Sequence, residues 1–116
     1  MKTILIAEDN DSNYVLMTYI LKRTYNVIRA HDGREAIELA SDEKVDFVLM
    51  DLRMPVCDGL EATRQIKAIR PQLPIVMLTA NAFESDRENA MAAGCNDFLA
   101  KPVNSEMCLK AIAKYI

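Results

Sequence analysis

Four places in this 116-residue chain hold side chains that could do chemistry together: Glu8-Asp9, Asp51, Thr79 and Lys101. Each follows a short apolar run, and each is of a type that handles a cation or an anion. Carboxylates brought to one edge from two segments would repel by about 4 kcal/mol per pair at close range with an effective dielectric near 20. A divalent cation removes that repulsion, and hard oxygen ligands favour Mg²⁺ or Mn²⁺. Asp9 and Asp51 would be direct ligands, with Glu8 binding directly or through water. A single Lys and a single Thr beside these acids point to a second, anionic guest, held by Lys101 as a point charge and by the Thr79 hydroxyl as a donor. The set suits phosphoryl transfer, where positioning and neutralisation of the equatorial oxygens supply most of the catalysis. Asp51 is the natural nucleophile, because a carboxylate can form an acyl phosphate.

The elements that must position these groups are legible as apolar runs. Thr3 to Ala7, Val45 to Met50, Ile75 to Leu78 and a weaker Asp97 to Ala100 read as strands buried on both faces, with Val27 to Ala30 as a fifth candidate. Helical patterning fills the gaps. Ser12 to Arg23 carries a stripe of Val15, Leu16, Tyr19 and Ile20 behind an Asp11 or Ser12 cap. Gly33 to Ser41 turns Ala36, Ile37 and Ala40 inward, and Leu60 to Arg70 lines up Leu60, Ile66 and Ile69 before Pro71. Asn104 to Tyr115 aligns Cys108, Ala111, Ile112 and Tyr115, whereas Phe83 to Ala93 has a thin packing face of Ala and Met. Five alternations of strand and helix predict an α/β fold with a parallel sheet, right-handed crossovers and helices on both faces. Ligands of such sheets sit at the carboxyl ends of the strands, where the acidic residues, Thr79 and Lys101 all fall.

Composition narrows the class. With 51% hydrophobic and 27% charged residues, the chain can bury one core, so residues 1–116 are read as one domain. Its apolar runs are too short to cross a bilayer and no signal-peptide pattern opens it, which predicts a soluble, cytoplasmic protein without direct membrane contact. The net charge of −3 is mild and the Lys and Arg residues are scattered, so no footprint for direct nucleic-acid binding is present. Cys57, Cys95 and Cys108 are odd in number and lack the spacing of a metal site, and they read as buried or incidental thiols.

Glu8-Asp9, the run from Asp51 through Pro55 and Asp58 to Gly59, Thr79-Ala80 and Lys101-Pro102 together resemble the receiver domain of bacterial two-component response regulators. The resemblance spans essentially the whole chain, and these motifs, in order at matching strand ends, are specific. It implies a flavodoxin-like doubly wound (βα)5 sheet of strand order 2-1-3-4-5. Asp51 would accept a phosphoryl group from the phosphohistidine of a histidine kinase or of its phosphotransfer domain. Glu8, Asp9, Asp51 and the backbone carbonyl of Arg53 would bind Mg²⁺, with Mn²⁺ as a substitute. Lys101, the Thr79 hydroxyl and the Ala80 backbone would hold the phosphoryl group, Thr79 and Phe98 would form the switch, and the bond before Pro102 would be cis. A phosphoryl group adds about −1.5 to −2 charge, drawing Thr79 inward and vacating space for Phe98, so that two forms differing by a few kcal/mol change population. Arg53 and Asn81 lie where receivers vary in phosphoryl lifetime.

Within the family, Ile6 to Asn10 with Asn13, Leu78 to Ala82 and Gly94 to Phe98 are most similar to receivers of hybrid histidine kinases. An excised hybrid-kinase receiver is therefore expected, which would make the domain the cytoplasmic part of a membrane-bound kinase; a stand-alone regulator is the alternative. A downstream phosphotransfer protein or effector would read the signal, and the domain would be a monomer or weak dimer. The expectation is a signalling phosphoacceptor, not an enzyme. An aspartate-nucleophile phosphohydrolase would place a second Asp where Arg53 stands, and a flavin module would need a neutral phosphate loop where Glu8-Asp9-Asn10-Asp11 stand. Asp58 is read as a turn or cap residue, His31 as a surface residue, and Gly59 as serving a turn or the closing of the active loop.

Overall fold

The computed structural model describes residues 1–80 and 84–116, and for residues 84 and 85 the backbone alone. Asn81 and the start of the Phe83 to Ala93 stretch lie outside the described residues. The elements run β1 (Thr3–Ala7), α1 (Asp11–Leu21), β2 (Asn26–Ala30), α2 (Gly33–Ala40), β3 (Phe47–Asp51), α3 (Gly59–Ile69), β4 (Ile75–Thr79), α4 (Glu84–Ala92), β5 (Asp97–Ala100) and α5 (Ser105–Ala113). All strand pairs are parallel, in the order β2-β1-β3-β4-β5. The α/β, doubly wound reading of the sequence is the observed fold.

Alternation along each strand divides the core into two layers. Leu5, Val48, Met50, Ile75 and Met77 face α2 and α3, meeting Ala36, Ala40, Ala62 and Ile66. Ile4, Ile6, Phe47, Leu49, Val76 and Leu78 face α1 and α5, meeting Met17, Leu21, Cys108 and Ile112. Every residue of β3 and β4 is buried, as continuous apolar runs require. Register then carries the polar groups to one edge. Asp51 pairs with Leu78 and Thr79 with Ala100, so Asp51, Thr79 and Lys101 emerge side by side, while Glu8 and Asp9 leave β1 next to them.

Four helices begin alike. The side chains of Asn10, Asp32, Asp58 and Asn104 accept from the backbone N–H three residues on, at 2.8 to 3.1 Å. For α1 this corrects the expected Asp11 or Ser12 cap to Asn10, which is extended and sits one residue before the helix. The expected strand from Val45 begins instead at Phe47, because Val45 N–H closes a turn on the Asp42 carbonyl at 3.1 Å. β4 and β3 each run one residue further than expected and end on Thr79 and Asp51 themselves.

The larger correction concerns α1. Val15, Leu16 and Tyr19, expected to face inward, are 64, 50 and 72% exposed, and the buried pair is Met17 and Leu21. Apolar residues encircle this helix, so helical periodicity permits more than one stripe, and only docking on the sheet selects the i, i+4 pair. Ile69 in α3 is likewise 55% exposed, and Ala62 and Ile66 do the packing there.

Gly59 opens α3 hard against the end of β3. A methyl group there would run into the Asp51 carbonyl oxygen and crowd Leu52 Cα, both fixed backbone. Gly59→Ala is expected to destabilise the domain by about 2 kcal/mol and to lower its thermal midpoint by roughly 8 °C. A scanning-calorimetry midpoint equal to wild type would contradict the close approach.

Candidate functional site

β1, β3 and β5 deliver their last or next residues to a single cluster. Lys101 Nζ lies 2.7 Å from Glu8 Oε1 and 3.3 Å from Asp51 Oδ1, reaching across the ends of the sheet. Glu8 is fully buried, Asp51 nearly so, and Asp9 is exposed. One carboxylate oxygen from each of these three acids lies within 4.8 Å of the others. Lys101 N–H also donates to the Thr79 carbonyl at 2.7 Å, which ties β5's exit to β4 beside the cluster. Thr79 is buried and Ala80, next along the chain, is exposed. The Lys101–Pro102 peptide is cis.

Burial pushes Asp51 up to about 7 from an ordinary 3.8, aided by its hydrogen bond to Glu8 and by the Glu8 charge, while Lys101 offsets only part of the rise. Glu8 moves the other way. Its burial alone would raise it, but hydrogen bonds from Asp51 and Lys101 and the Lys101 charge hold it below the usual carboxylate range. Lys101 is likewise disfavoured by burial, yet the bond to Glu8 and the Asp51 charge carry it above its ordinary value. The pocket thus favours a proton on Asp51 over one on Glu8, with Lys101 charged.

Three oxygen donors on two strand ends, with one lysine between them, suit a hard divalent cation, whose charge would replace that proton. Glu8, Asp9 and Asp51 are the side chains able to hold it. Beside them opens a cleft of about 550 Å³ lined by Asp9, Arg53, Met54, Asp58 and Asp86 among others. Asp58 faces this cleft but spends Oδ1 on capping α3, in keeping with its reading as a cap. Val56, in the loop that forms one wall, has a left-handed φ of 69°, uncommon for a β-branched residue.

Phe98 is half-buried on β5 and packs on the α2–α3 side of the sheet, in register with Met77. His31 stays at the surface, 3.0 Å from Glu35. Cys95 and Cys108 are buried free thiols that burial pushes up to about 11, and Cys57 is half-buried and free. Among the described residues no helix is long and apolar enough to cross a membrane.

Two contributors escaped the sequence reading. Arg29 on β2 donates through Nε and Nη2 to the Glu8 carbonyl at 3.2 and 3.1 Å, pairs with Asp11 at 2.8 Å and lies 4.5 Å over the Tyr14 ring. It fixes the backbone that aims Glu8; the available signal was a lone cation inside an apolar strand. Asp86 of α4 reaches the cleft from a helix whose placement no local pattern reveals.

A five-stranded doubly wound sheet with an acidic cluster, a buried Thr and a bridging Lys at its carboxyl edge defines a class of phosphate- and metal-handling α/β domains. Residues 4–113 match the response regulator receiver domain, and the chain belongs to that family. It is 35% identical to hybrid signal transduction histidine kinase I of Dictyostelium discoideum, covering 97% of this chain but 7% of that protein. It is 32% identical to the polar-differentiation response regulator DivK of Brucella anthropi, covering 99% of this chain and 96% of the relative. Among solved structures, the receiver domain of sensor histidine kinase PA1611 from Pseudomonas aeruginosa, with a magnesium ion coordinated in its active-site cleft, superposes with a TM-score of 0.92 at 39% identity, covering 98% and 96% of the two chains. The Ssk1 receiver of Saccharomyces cerevisiae, co-crystallised with the histidine phosphotransfer protein Ypd1, superposes at 0.91 with 32% identity over 97% and 87%.

The Asp51 proton gives a pH test of the cluster. Folded protein holds it up to about pH 7, whereas the unfolded chain releases it near 3.8. Between those values the folded state binds more protons, so Asp51 makes stability fall as pH rises through that window. Metal-free Asp51→Asn is therefore expected to melt above wild type at pH 8, with the gap narrowing toward pH 5, and Mg²⁺ is expected to raise the wild-type midpoint. Equal midpoints at pH 8 without metal would contradict the repulsion.

Proposed function

We propose that this receiver domain takes a phosphoryl group onto Asp51 from a phosphohistidine and passes the change to its surface. The observation that carries the reading is Lys101 bridging Glu8 and Asp51 beside Asp9, which sets a cation and three carboxylate oxygens able to hold a metal around the place a phosphoryl group on Asp51 would occupy. In the transfer, an Asp51 oxygen bonds to phosphorus as the donor's N–P bond breaks, and the bonding pair returns to the imidazole, which takes up a proton. Glu8, Asp9, Asp51 and the Arg53 carbonyl would hold Mg²⁺, with Mn²⁺ as a substitute. The cation would keep Asp51 ionised and neutralise the phosphoryl oxygens. Lys101 trades its contact with Asp51 for a phosphoryl oxygen, and the Thr79 hydroxyl and Ala80 N–H bind the others. Thr79, drawn toward the group, leaves room that Phe98 fills, which changes the β4–α4–β5 surface.

The donor docks on α1. Val15, Leu16 and Tyr19 form an exposed apolar face, and Leu16 also lines a small pocket with Glu8, Lys101 and Pro102, so that face runs into the rim of the site. A helical histidine phosphotransfer domain fits it, in line with the Ypd1 complex of the Ssk1 receiver. We read residues 1–116 as one such domain, acting in the cytoplasm as a monomer or weak dimer, as a phosphoacceptor rather than an enzyme of multiple turnover. We favour a parent hybrid kinase over a stand-alone regulator on the runs Ile6 to Asn10, Leu78 to Ala82 and Gly94 to Phe98; the relatives include proteins of both kinds.

Acetyl phosphate with Mg²⁺ is expected to add one phosphoryl group by intact-mass spectrometry, and Asp51→Asn to remove the label. Label persisting in that variant would overturn Asp51 as acceptor. Lys101→Ala should still bind Mg²⁺ by titration yet lose the phosphorylation-dependent change in β4–β5 amide chemical shifts. Leu16→Glu, on an exposed position, should keep acetyl phosphate labelling while transfer from a phosphohistidine donor falls about tenfold or more; unchanged transfer would remove α1 from the docking surface.

A further inference from the structure

Arg29 stands inside β2 in register with Ile6, on the side of the sheet that faces α1, and its side chain is only 15% exposed. A guanidinium covered to that extent is unfavourable unless it is paired and hydrogen-bonded. Its partners all belong to one stretch, residues 8–14, which carries two of the three acids able to hold a metal. Nε and Nη2 donate to the Glu8 carbonyl at 3.2 and 3.1 Å, Nη2 also meets Asp11 at 2.8 Å, and the guanidinium lies 4.5 Å over the Tyr14 ring. β2 ends at Ala30, whose carbonyl takes the Glu8 N–H at 3.0 Å, so the ladder stops just short of the Glu8 carbonyl. Among the described residues, the two nitrogens of Arg29 are the donors that reach that oxygen.

The Glu8 carbonyl is part of the planar peptide unit that joins Glu8 to Asp9. Holding its oxygen fixes ψ at Glu8 and φ at Asp9, and with them the directions in which the two carboxylates leave the backbone. We propose that Arg29 is a positioning residue of the metal site: by fixing the Glu8–Asp9 peptide unit it presents both acids to Asp51 and so tightens Mg²⁺ binding. The inference rests on Glu8, Asp9 and Asp51 holding Mg²⁺. Two effects of Arg29 on a bound cation oppose each other. Its charge repels the cation, yet Asp11, 2.8 Å away, cancels most of that field at a distance. Its hydrogen bonds spare the loop the ordering that binding would otherwise require, and outer partners of this kind set metal affinity by roughly tenfold or more. The second effect is the larger, so removal of Arg29 weakens binding, whereas repulsion alone would make its removal strengthen binding. A cation that only blunted the open edge of β2 would leave the metal unaffected.

The test is calorimetric titration of Mg²⁺ into wild type, Arg29→Met and Arg29→Lys. Arg29→Met keeps the apolar stem and removes both donors, and its Mg²⁺ dissociation constant is expected to rise about tenfold. Arg29→Lys keeps the charge without the planar fork and should fall between the two. Acetyl phosphate labelling of Arg29→Met should need correspondingly more Mg²⁺ for its half-maximal rate and recover most of that rate at saturating metal. Without metal, hydrogen exchange should speed at the Glu8 N–H while Leu49 in β3 keeps its protection. Equal or tighter Mg²⁺ binding by Arg29→Met overturns the proposal, as does Arg29→Lys binding as tightly as wild type, which would reduce Arg29 to its charge. Exchange that speeds equally at Leu49 overturns it too, because Arg29 would then be a general stabiliser. Failure of wild type to bind Mg²⁺ would overturn the metal site and the role of Arg29 together, whereas wild-type binding that neither variant alters removes the role of Arg29 alone.

Discussion

The structure is arranged around a repulsion that its own lysine relieves only in part. Glu8 and Asp51 are both buried and in hydrogen-bond contact, and the one cation between them, Lys101, cannot neutralise two carboxylates. The parallel sheet is what forces them together, because successive strands all present their carboxyl ends to the same edge. Burial raises the cost of the second negative charge until Asp51 keeps its proton. The site is thus short of positive charge, which a divalent cation would supply.

Such a cluster persists only on a rigid base. β3 and β4 are buried along their whole length, and two apolar layers grip the sheet from both sides. Arg29 holds the Glu8 carbonyl from β2, and Gly59 lets α3 start against the Asp51 backbone. By contrast, Ala90 is the buried residue among the described side chains of α4, and its Asp86 oxygen is left without a donor among the described residues. A helix with few packing contacts is the element able to answer a change of charge next to it. The same economy explains α1, whose inner pair Met17 and Leu21 suffices for docking and leaves Val15, Leu16 and Tyr19 outside.

Much of the design was legible in the residues. Continuous apolar runs such as Ile4 to Ala7 and Ile75 to Leu78 announced doubly buried strands, and their alternation with helical patterns set the α/β class. Glu8-Asp9, Asp51, Thr79 and Lys101, each just after such a run, marked one chemical site through a topological rule that sends all strand ends to one edge. These signals survive in sequence because they are local: period, residue type and position relative to a strand. What the tertiary structure alone decided was non-local. It chose Met17 and Leu21 over Val15, Leu16 and Tyr19, since a helix apolar all round has no preferred side until a sheet is present. It assigned the α1 cap to Asn10, whose side chain alone met the Asn13 N–H. It brought Arg29 to Glu8 and Asp86 to the cleft of Arg53, contacts between segments far apart in the chain whose energies depend on distance and burial, which no spacing along a sequence records.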